Sequence, residues 1–199
     1  MKSLGRIGKR SPARQSLPDR SDRDLELQNL GLVEVSEILE AIGVHYFLVE
    51  GALLGAVRGG DFIRWDWDVG IALMGHDSAA KPAILRESFE QSGFTVETTS
   101  GPYPKLNLRK YGSKYELCFW TKRGRMLVRL GRRVPSKFFE TVGSVKLRNR
   151  LYPCPHPPEE YLAFYYGNWN IPVRSMHSAS SHSKRLRTRV RYWLSQFGP

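Results

Sequence analysis

The stretch FLVEGALLGAVRGGDFIRWDWDVGI, residues 47–71, decides how this chain is read. It sits on a short apolar, aromatic and branched run, residues 45–49, of the kind that forms a buried strand with His45 packed at its start. Residues 51–58 then read as a turn into a short helix, and a second strand is predicted from about Asp66 to Met74. Side chains alternate along a strand, so Asp66, Asp68 and Gly70 share one face while Trp67, Val69 and Ile71 share the other, apolar one. Carboxylates at i and i+2 stand about 7 Å apart at the backbone and can converge on a hard divalent cation, which takes oxygen ligands. Trp65 and Trp67 beside them argue against an exposed loop. Taken alone, the Asp-x-Asp tripeptide is common and reads more simply as two solvent-facing acids at the start of a strand.

Outward from this stretch the pattern is that of a mixed fold. Ser21 with Asp24 three residues later can cap a helix, and Leu25, Leu32, Val35, Leu39 and Ile42 recur at helical steps up to a stop at Gly43. A second helix is predicted from a cap at Asp77 through Ser92, with Ile84, Leu85 and Phe89 facing inward and Gly93 ending it. The period then changes to alternation. Residues 94–97, 105–109, 114–121 and 125–130 read as strands, with turns at Gly101-Pro102 and Arg123-Gly124, which gives a meander within a mixed sheet. Pro157 and Pro158 open a last helix that stops at Gly167. The fold class is α/β (α+β), a mixed sheet flanked by helices.

The 199 residues are 41% hydrophobic and 25% charged, enough for one domain with a real core and unlike a disordered, collagenous or disulfide-built chain. No apolar run reaches the roughly 20 residues of a membrane span, and the N-terminus lacks the apolar block of a secretory leader, so a cytoplasmic location is expected. Cys118 and Cys154 are too far apart for a Cys-x-x-Cys site and read as reduced packing residues. The net charge of +12 lies almost entirely at the ends. Residues 1–24 hold seven Lys/Arg against three Asp and residues 174–199 hold six against none, whereas the body between has 18 basic and 16 acidic residues. That distribution, without zinc-finger spacing or an RNA-binding aromatic motif, argues against nucleic acid as partner and leaves two basic tails, 1–20 and 174–199, that can meet an anionic membrane surface. Residues 21–173 are the expected domain. Phosphate-loop, nucleophile-elbow and His-Glu-x-x-His motifs are missing from the sequence.

The quoted stretch resembles the LicD/fukutin family, whose motif runs Gly-(Thr/Ser)-Leu-Leu-Gly-x-x-Arg, a Gly/Asp turn, then Ile-Pro-Trp-Asp-x-Asp-apolar-Asp. The later stretch YPCPHPPEEYLAFYYGNWNIP, residues 152–172, is similar to the family's C-terminal element. The resemblance covers about residues 44–172 and implies a nucleotidyltransferase-like fold. It further implies a metal-dependent transferase that moves a phosphorylated alcohol, of the phosphocholine or phosphopolyol type, from a CDP-linked donor to a hydroxyl of a glycan or lipid-linked glycan. Residue by residue it makes Asp66 and Asp68 the pair that binds Mg²⁺ or Mn²⁺, with Glu116 as the third carboxylate from a later strand, and these three as the catalytic set. Arg58 takes the place of the motif arginine as a phosphate clamp. Gly51 and Gly55 are expected to let the backbone approach the ligand, the amides near 51–53, that of Ala52 among them, to meet an anion at a helix start, and Lys105 or Arg109, by charge and strand position, to add a second positive group.

Three positions depart from the family pattern. Ala52 replaces the hydroxyl residue, Arg64 stands where Pro is usual, and Gly70 replaces the last Asp of the run. Since Gly70 falls on the acid face, one ligand or base is missing unless another group supplies it. The same Asp-x-Asp also suits a sugar-nucleotide glycosyltransferase or a nucleotidyltransferase, and the loss at Gly70 suits a pseudoenzyme that only binds nucleotide.

Overall fold

The computed structural model describes residues 18–74, 82–99, 104–129, 132–172 and 174. Helix α1, Asp22–Ile42, begins in the capping box the sequence predicts: the Ser21 hydroxyl accepts from the Asp24 N–H, and the Asp24 carboxylate accepts from the Ser21 N–H. It buries Leu25, Leu32, Val35 and Leu39, and Gly43 closes it in the left-handed conformation. Strand β1, Tyr46–Val49, is buried at every position and runs without a loop into helix α2, Glu50–Gly59. Strand β2 is Asp68–Met74. Helix α3, Pro82–Gln91, ends as predicted, whereas the expected cap at Asp77, like the Gly101-Pro102 turn, lies outside the described residues.

The meander follows: β3 is Thr95–Thr99, β4 Lys105–Lys110, β5 Ser113–Arg123, β6 Met126–Arg129 and β7 Arg132–Pro135. The sheet runs β1-β2-β5-β4-β3, and the far end of the long β5 carries β6, which carries β7. All pairings are antiparallel except β2 on β5, so one parallel pair makes the sheet mixed. β2 and β5 lie at its centre, with Val69, Ile71, Tyr115 and Leu117 wholly buried. A 3₁₀ turn, Ser136–Phe139, leads to a hairpin of β8, Val142–Leu147, and β9, Arg150–Pro155, which packs beside β1 and α2. Helix α4, Pro158–Tyr166, packs on α2 and stops at Gly167.

The structure corrects several expectations. β2 starts at Asp68, not Asp66, because residues 63–66 close a turn in which the Asp66 N–H donates to the Ile63 carbonyl. Trp67 is not in the core; it lies under the Arg20 guanidinium, 4.6 Å from its carbon, and donates from its indole N–H to the Pro18 carbonyl. His45 is exposed, as the strand begins one residue later. Strands β7, β8 and β9 have no counterpart in the sequence reading. Arg20 falls on the tail side of the expected boundary yet is 2% exposed, its guanidinium donating to the Ser113 hydroxyl. Most of both basic tails lies outside the described residues. Cys118 and Cys154 are free and buried, as expected. Among the described residues no helix is long and apolar enough to cross a membrane.

Candidate active site

Strand register brings the acids together. In the parallel β2·β5 ladder Asp68 stands opposite Lys114 and Gly70 opposite Glu116. Paired residues point to the same face of a sheet, and i and i+2 share it, so Asp68, Gly70, Lys114 and Glu116 form one patch. On the other side of β2, Val49 pairs with Gly70, and Glu50 follows it with a positive φ of 57° at the start of α2. The turn before β2 adds Asp66. Glu50, Asp66, Asp68 and Glu116 thus line one cavity of about 200 Å³, together with Gly51, Gly70, Arg132, Tyr165 and Tyr166.

Two glycines make the room. A Cβ at Gly51 would lie 1.7 Å from Asp66 Oδ2, so any side chain there displaces the carboxylate. A Cβ at Gly70 would lie 3.2 Å from Glu50 Cβ and 3.3 Å from Glu50 Oε2. Glu50 therefore leans over the position where the family pattern has an acid, and the chain keeps a carboxylate there from a neighbouring strand end.

Each charge is held differently. Burial, with the like charges of Asp68 and Glu50 added, pushes the Asp66 carboxyl up to about 6, against a weak opposing hydrogen bond from the Asp68 N–H to Asp66 Oδ1. Lys114 Nζ lies 2.6 Å from Glu116 Oε1 and 3.1 Å from Asp68 Oδ2, and Lys105 Nζ lies 3.1 Å from the same Glu116 oxygen. Burial alone would raise the Glu116 carboxyl; the Lys114 and Lys105 ammonium groups outweigh it and hold Glu116 below its ordinary value. Across the cavity the Arg132 guanidinium contacts both Glu50 and the Tyr165 hydroxyl, and Tyr165 donates to Glu50 Oε1 at 2.8 Å. Burial raises the Tyr165 phenol well above its ordinary value, so it is a neutral donor.

The donor set suits a hard cation, since it consists of carboxylate oxygens. One more oxygen stands nearby: Asn107 pairs with Glu116 across β4·β5, is 8% exposed, and its Oδ1 has no hydrogen-bond partner. Glu116 is tied to two cations, Lys105 and Lys114, whereas Asp68 meets Lys114 alone and Glu50 meets Arg132 and the Tyr165 hydroxyl, and no ion pair at 4 Å or less holds Asp66 among the described residues. Among the described residues, no three acids converge as a ready metal cage. The expected triad Asp66, Asp68 and Glu116 shares the cavity, but the Lys114 ammonium lies between Asp68 and Glu116.

The remaining predicted residues divide. Lys105 reaches the site through Glu116. Arg58 does not: its guanidinium donates to the Trp169 and Ile171 carbonyls, 2.7 Å from Nε and 3.1 Å from one terminal nitrogen, and ties down the chain after α4. Ala52 is buried in the core, and Gly55 is there because a Cβ would lie 2.4 Å from the Asp61 carbonyl oxygen. Sequence reasoning missed Glu50, Lys114, Arg132 and Tyr165. Strand alternation around Glu116 could have found Lys114; nothing local marks the other three.

Residues 43–156 match the LicD/FKTN/FKRP nucleotidyltransferase domain. The chain belongs to that family. A 64-residue stretch is 52% identical to the ribitol 5-phosphate transferase FKRP of Homo sapiens and equally to that of Mus musculus, covering 30% of this chain and only 13% of each relative. By structure the LicD-family chain is similar to the antibiotic-resistance factor ANT(2'')-Ia, with a TM-score of 0.53 at 12% identity over 85% of this chain and 92% of that one. ANT(2'')-Ia in complex with adenylyl-2''-tobramycin gives 0.50 at 12% identity over 86% and 90%. At that identity the likeness concerns the fold, and it agrees with the mixed sheet flanked by helices described above.

Proposed function

We propose that this LicD-family domain transfers a phosphorylated alcohol, of the phosphopolyol or phosphocholine type, from a CDP-linked donor to a hydroxyl of a glycan or lipid-linked glycan. The observation that carries the reading is the single cavity in which Asp66 and Asp68 stand beside Glu116, Glu50 and Arg132, in a chain that shares 52% identity over 64 residues with a ribitol 5-phosphate transferase. Asp66 and Asp68 would hold Mg²⁺ or Mn²⁺, which supplies charge neutralisation for a diphosphate and its departing CMP. Magnesium commonly binds through one or two carboxylates plus substrate phosphates, so two acids suffice. Gly51 lets Asp66 sit against the start of α2. Glu116, kept charged by its two lysines, fixes Lys105 and Lys114 beside the phosphate position. Glu50, with Tyr165 and Arg132, closes the other wall. In the transfer the bond between the alcohol's phosphorus and the CMP oxygen breaks, a bond from the acceptor oxygen forms, and the acceptor's proton leaves to a base.

The experiment is a thermal-shift screen of CDP, CMP, CDP-ribitol, CDP-glycerol, CDP-choline and UDP- and GDP-sugars, with and without Mg²⁺ or Mn²⁺, followed by product analysis. A ligand at 100 times its Kd adds about 2.7 kcal/mol of stability, which for a domain of this size is roughly 5–10 °C. A metal-dependent shift with cytidine ligands, absent in Asp66→Asn and Asp68→Asn, followed by release of CMP, supports the reading. Release of pyrophosphate or of a nucleoside diphosphate identifies the nucleotidyl or glycosyl alternative, and binding without product identifies a pseudoenzyme.

A further inference from the structure

Lys114 is built into the acid cluster as a fixed cation. The β2·β5 register sets it opposite Asp68, alternation sets it on the face of Glu116, and its side chain is only 21% exposed. Its ammonium therefore spans two carboxylates that come from neighbouring strands, at 3.1 Å and 2.6 Å. A second metal ion in a two-metal phosphoryl-transfer site stands about 3.5–4 Å from the first and shares a carboxylate with it. With Asp66 and Asp68 as the first ion's ligands, the gap between Asp68 and Glu116 is the place for such an ion, and Lys114 fills it. The charges agree. Four carboxylates, Glu50, Asp66, Asp68 and Glu116, face three cations, Lys105, Lys114 and Arg132, which leaves one formal negative charge. One divalent ion turns that into a single positive charge, suited to a diphosphate, whereas two would leave three positive charges.

We propose that this site takes one divalent cation, at Asp66 and Asp68, and that the Lys114 ammonium permanently holds the position between Asp68 and Glu116 that a second ion would need. The proposal rests on the metal-dependent transferase reading above and makes Lys114 a positioning residue in it. Lys105, on the outer side of Glu116, then keeps that carboxylate aligned from the β4 side.

The test is a count. Mn²⁺ is titrated into the full chain in the presence of CDP, and free Mn²⁺ is read by electron paramagnetic resonance, with Asp66→Asn as the blank that removes the site. The expected result is one site-dependent Mn²⁺ per chain in the wild type and in Lys114→Arg, and two in Lys114→Met, where Asp68 and Glu116 are left facing each other without a cation. Two site-dependent ions in the wild type overturn the proposal and leave the transferase reading standing. One ion in a folded Lys114→Met, checked by circular dichroism, also overturns it. Binding of no Mn²⁺ by the wild type overturns the metal-dependent reading itself and this proposal with it. Should Lys114→Met fail to fold, the wild-type count still decides.

Discussion

Asp66 is a group the fold holds against its own interest, and its replacement by Asn is predicted to stabilise the metal-free protein. In the native state burial and the nearby charges of Asp68 and Glu50 raise its carboxyl to about 6, whereas the unfolded chain has the ordinary value near 4. An acid whose native value lies higher binds more protons folded than unfolded between those two values. Stability contributed by its protonated form is therefore complete below about pH 4 and is lost as pH rises through about 6. A shift of about two units at 1.36 kcal/mol each gives roughly 3 kcal/mol, and allowing for the water that still reaches a side chain not wholly buried leaves about 2 kcal/mol. Asn keeps the shape, and its carbonyl oxygen can still accept from the Asp68 N–H. In EDTA at pH 7.5, Asp66→Asn should therefore melt about 4–8 °C above the wild type, with the difference vanishing near pH 4. Differential scanning calorimetry from pH 4 to 8 measures both. A variant that melts at or below the wild type at pH 7.5, or whose advantage does not shrink on acidification, refutes the argument that the site stores a desolvated charge.

Two further substitutions separate positioning from binding. Gly51→Ala places a methyl 1.7 Å from Asp66 Oδ2, so the carboxylate must swing away while the helix start gains a better helix former; Mn²⁺ affinity should fall at least about tenfold with the melting temperature near that of the wild type. Retained Mn²⁺ affinity would show that Asp66 is not the ligand. Arg58→Ala should lower stability by about 1–3 kcal/mol, since it strips the Trp169 and Ile171 carbonyls of their charged donor, while the Kd for a CDP ligand changes less than about threefold. Denaturant melts and isothermal calorimetry check this; a large loss of affinity in a stable variant would return Arg58 to the phosphate-clamp role that the family motif suggests.

What the sequence makes legible here is whatever is decided within a few residues. Ser21 and Asp24 announce the start of α1, the spacing of Leu25, Leu32, Val35 and Leu39 its buried face, and Pro158 and Gly167 the bounds of α4. The Asp66-Trp67-Asp68 run is legible as a motif, but the strand period holds only from Asp68 on, and Asp66 reaches the cavity from the turn before β2. The parallel pairing of β2 with β5 is different, since it is a choice among strands about 45 positions apart, made by burial of Val69, Ile71, Tyr115 and Leu117 rather than by any turn. Glu116, which that pairing carries into the site, was reached through the family resemblance, and most other residues that depend on the pairing or on later packing were hidden. Alternation puts Lys114 on the face of Glu116 but only the register puts it opposite Asp68, Arg132 needs β7 to fold back, and Tyr165 reads as plain helix core until its hydroxyl is seen on Glu50. Arg58 shows the converse. A motif position was readable and its side chain still went elsewhere, because the Trp169 and Ile171 carbonyls needed donors.

The candidate cavity and its supports reach beyond the segment that matches the family domain. That match runs over residues 43–156, yet the turn that presents Asp66 is braced by residues before it. The Arg20 N–H donates to the Arg64 carbonyl at 2.9 Å, the Arg20 guanidinium covers Trp67, and Arg64 pairs with Asp22 at the start of α1. From the other side Arg148 grips Asp61 with two hydrogen bonds and donates its own N–H to the Gly60 carbonyl. The exposed Arg64–Asp22 pair contributes little alone. The buried Arg20 is another matter, because its guanidinium has left water and finds its partners only when α1 and the Ser113 end of β5 are both in place. Tyr165 and Tyr166, which wall the cavity, likewise come from beyond residue 156. A fragment cut to residues 43–156 would retain Asp66, Asp68 and Glu116 in sequence. It would keep Arg148 and Arg132 but lose Arg20 and Asp22, which brace the Asp66 turn from α1, and the Tyr165 hydroxyl that donates to Glu50.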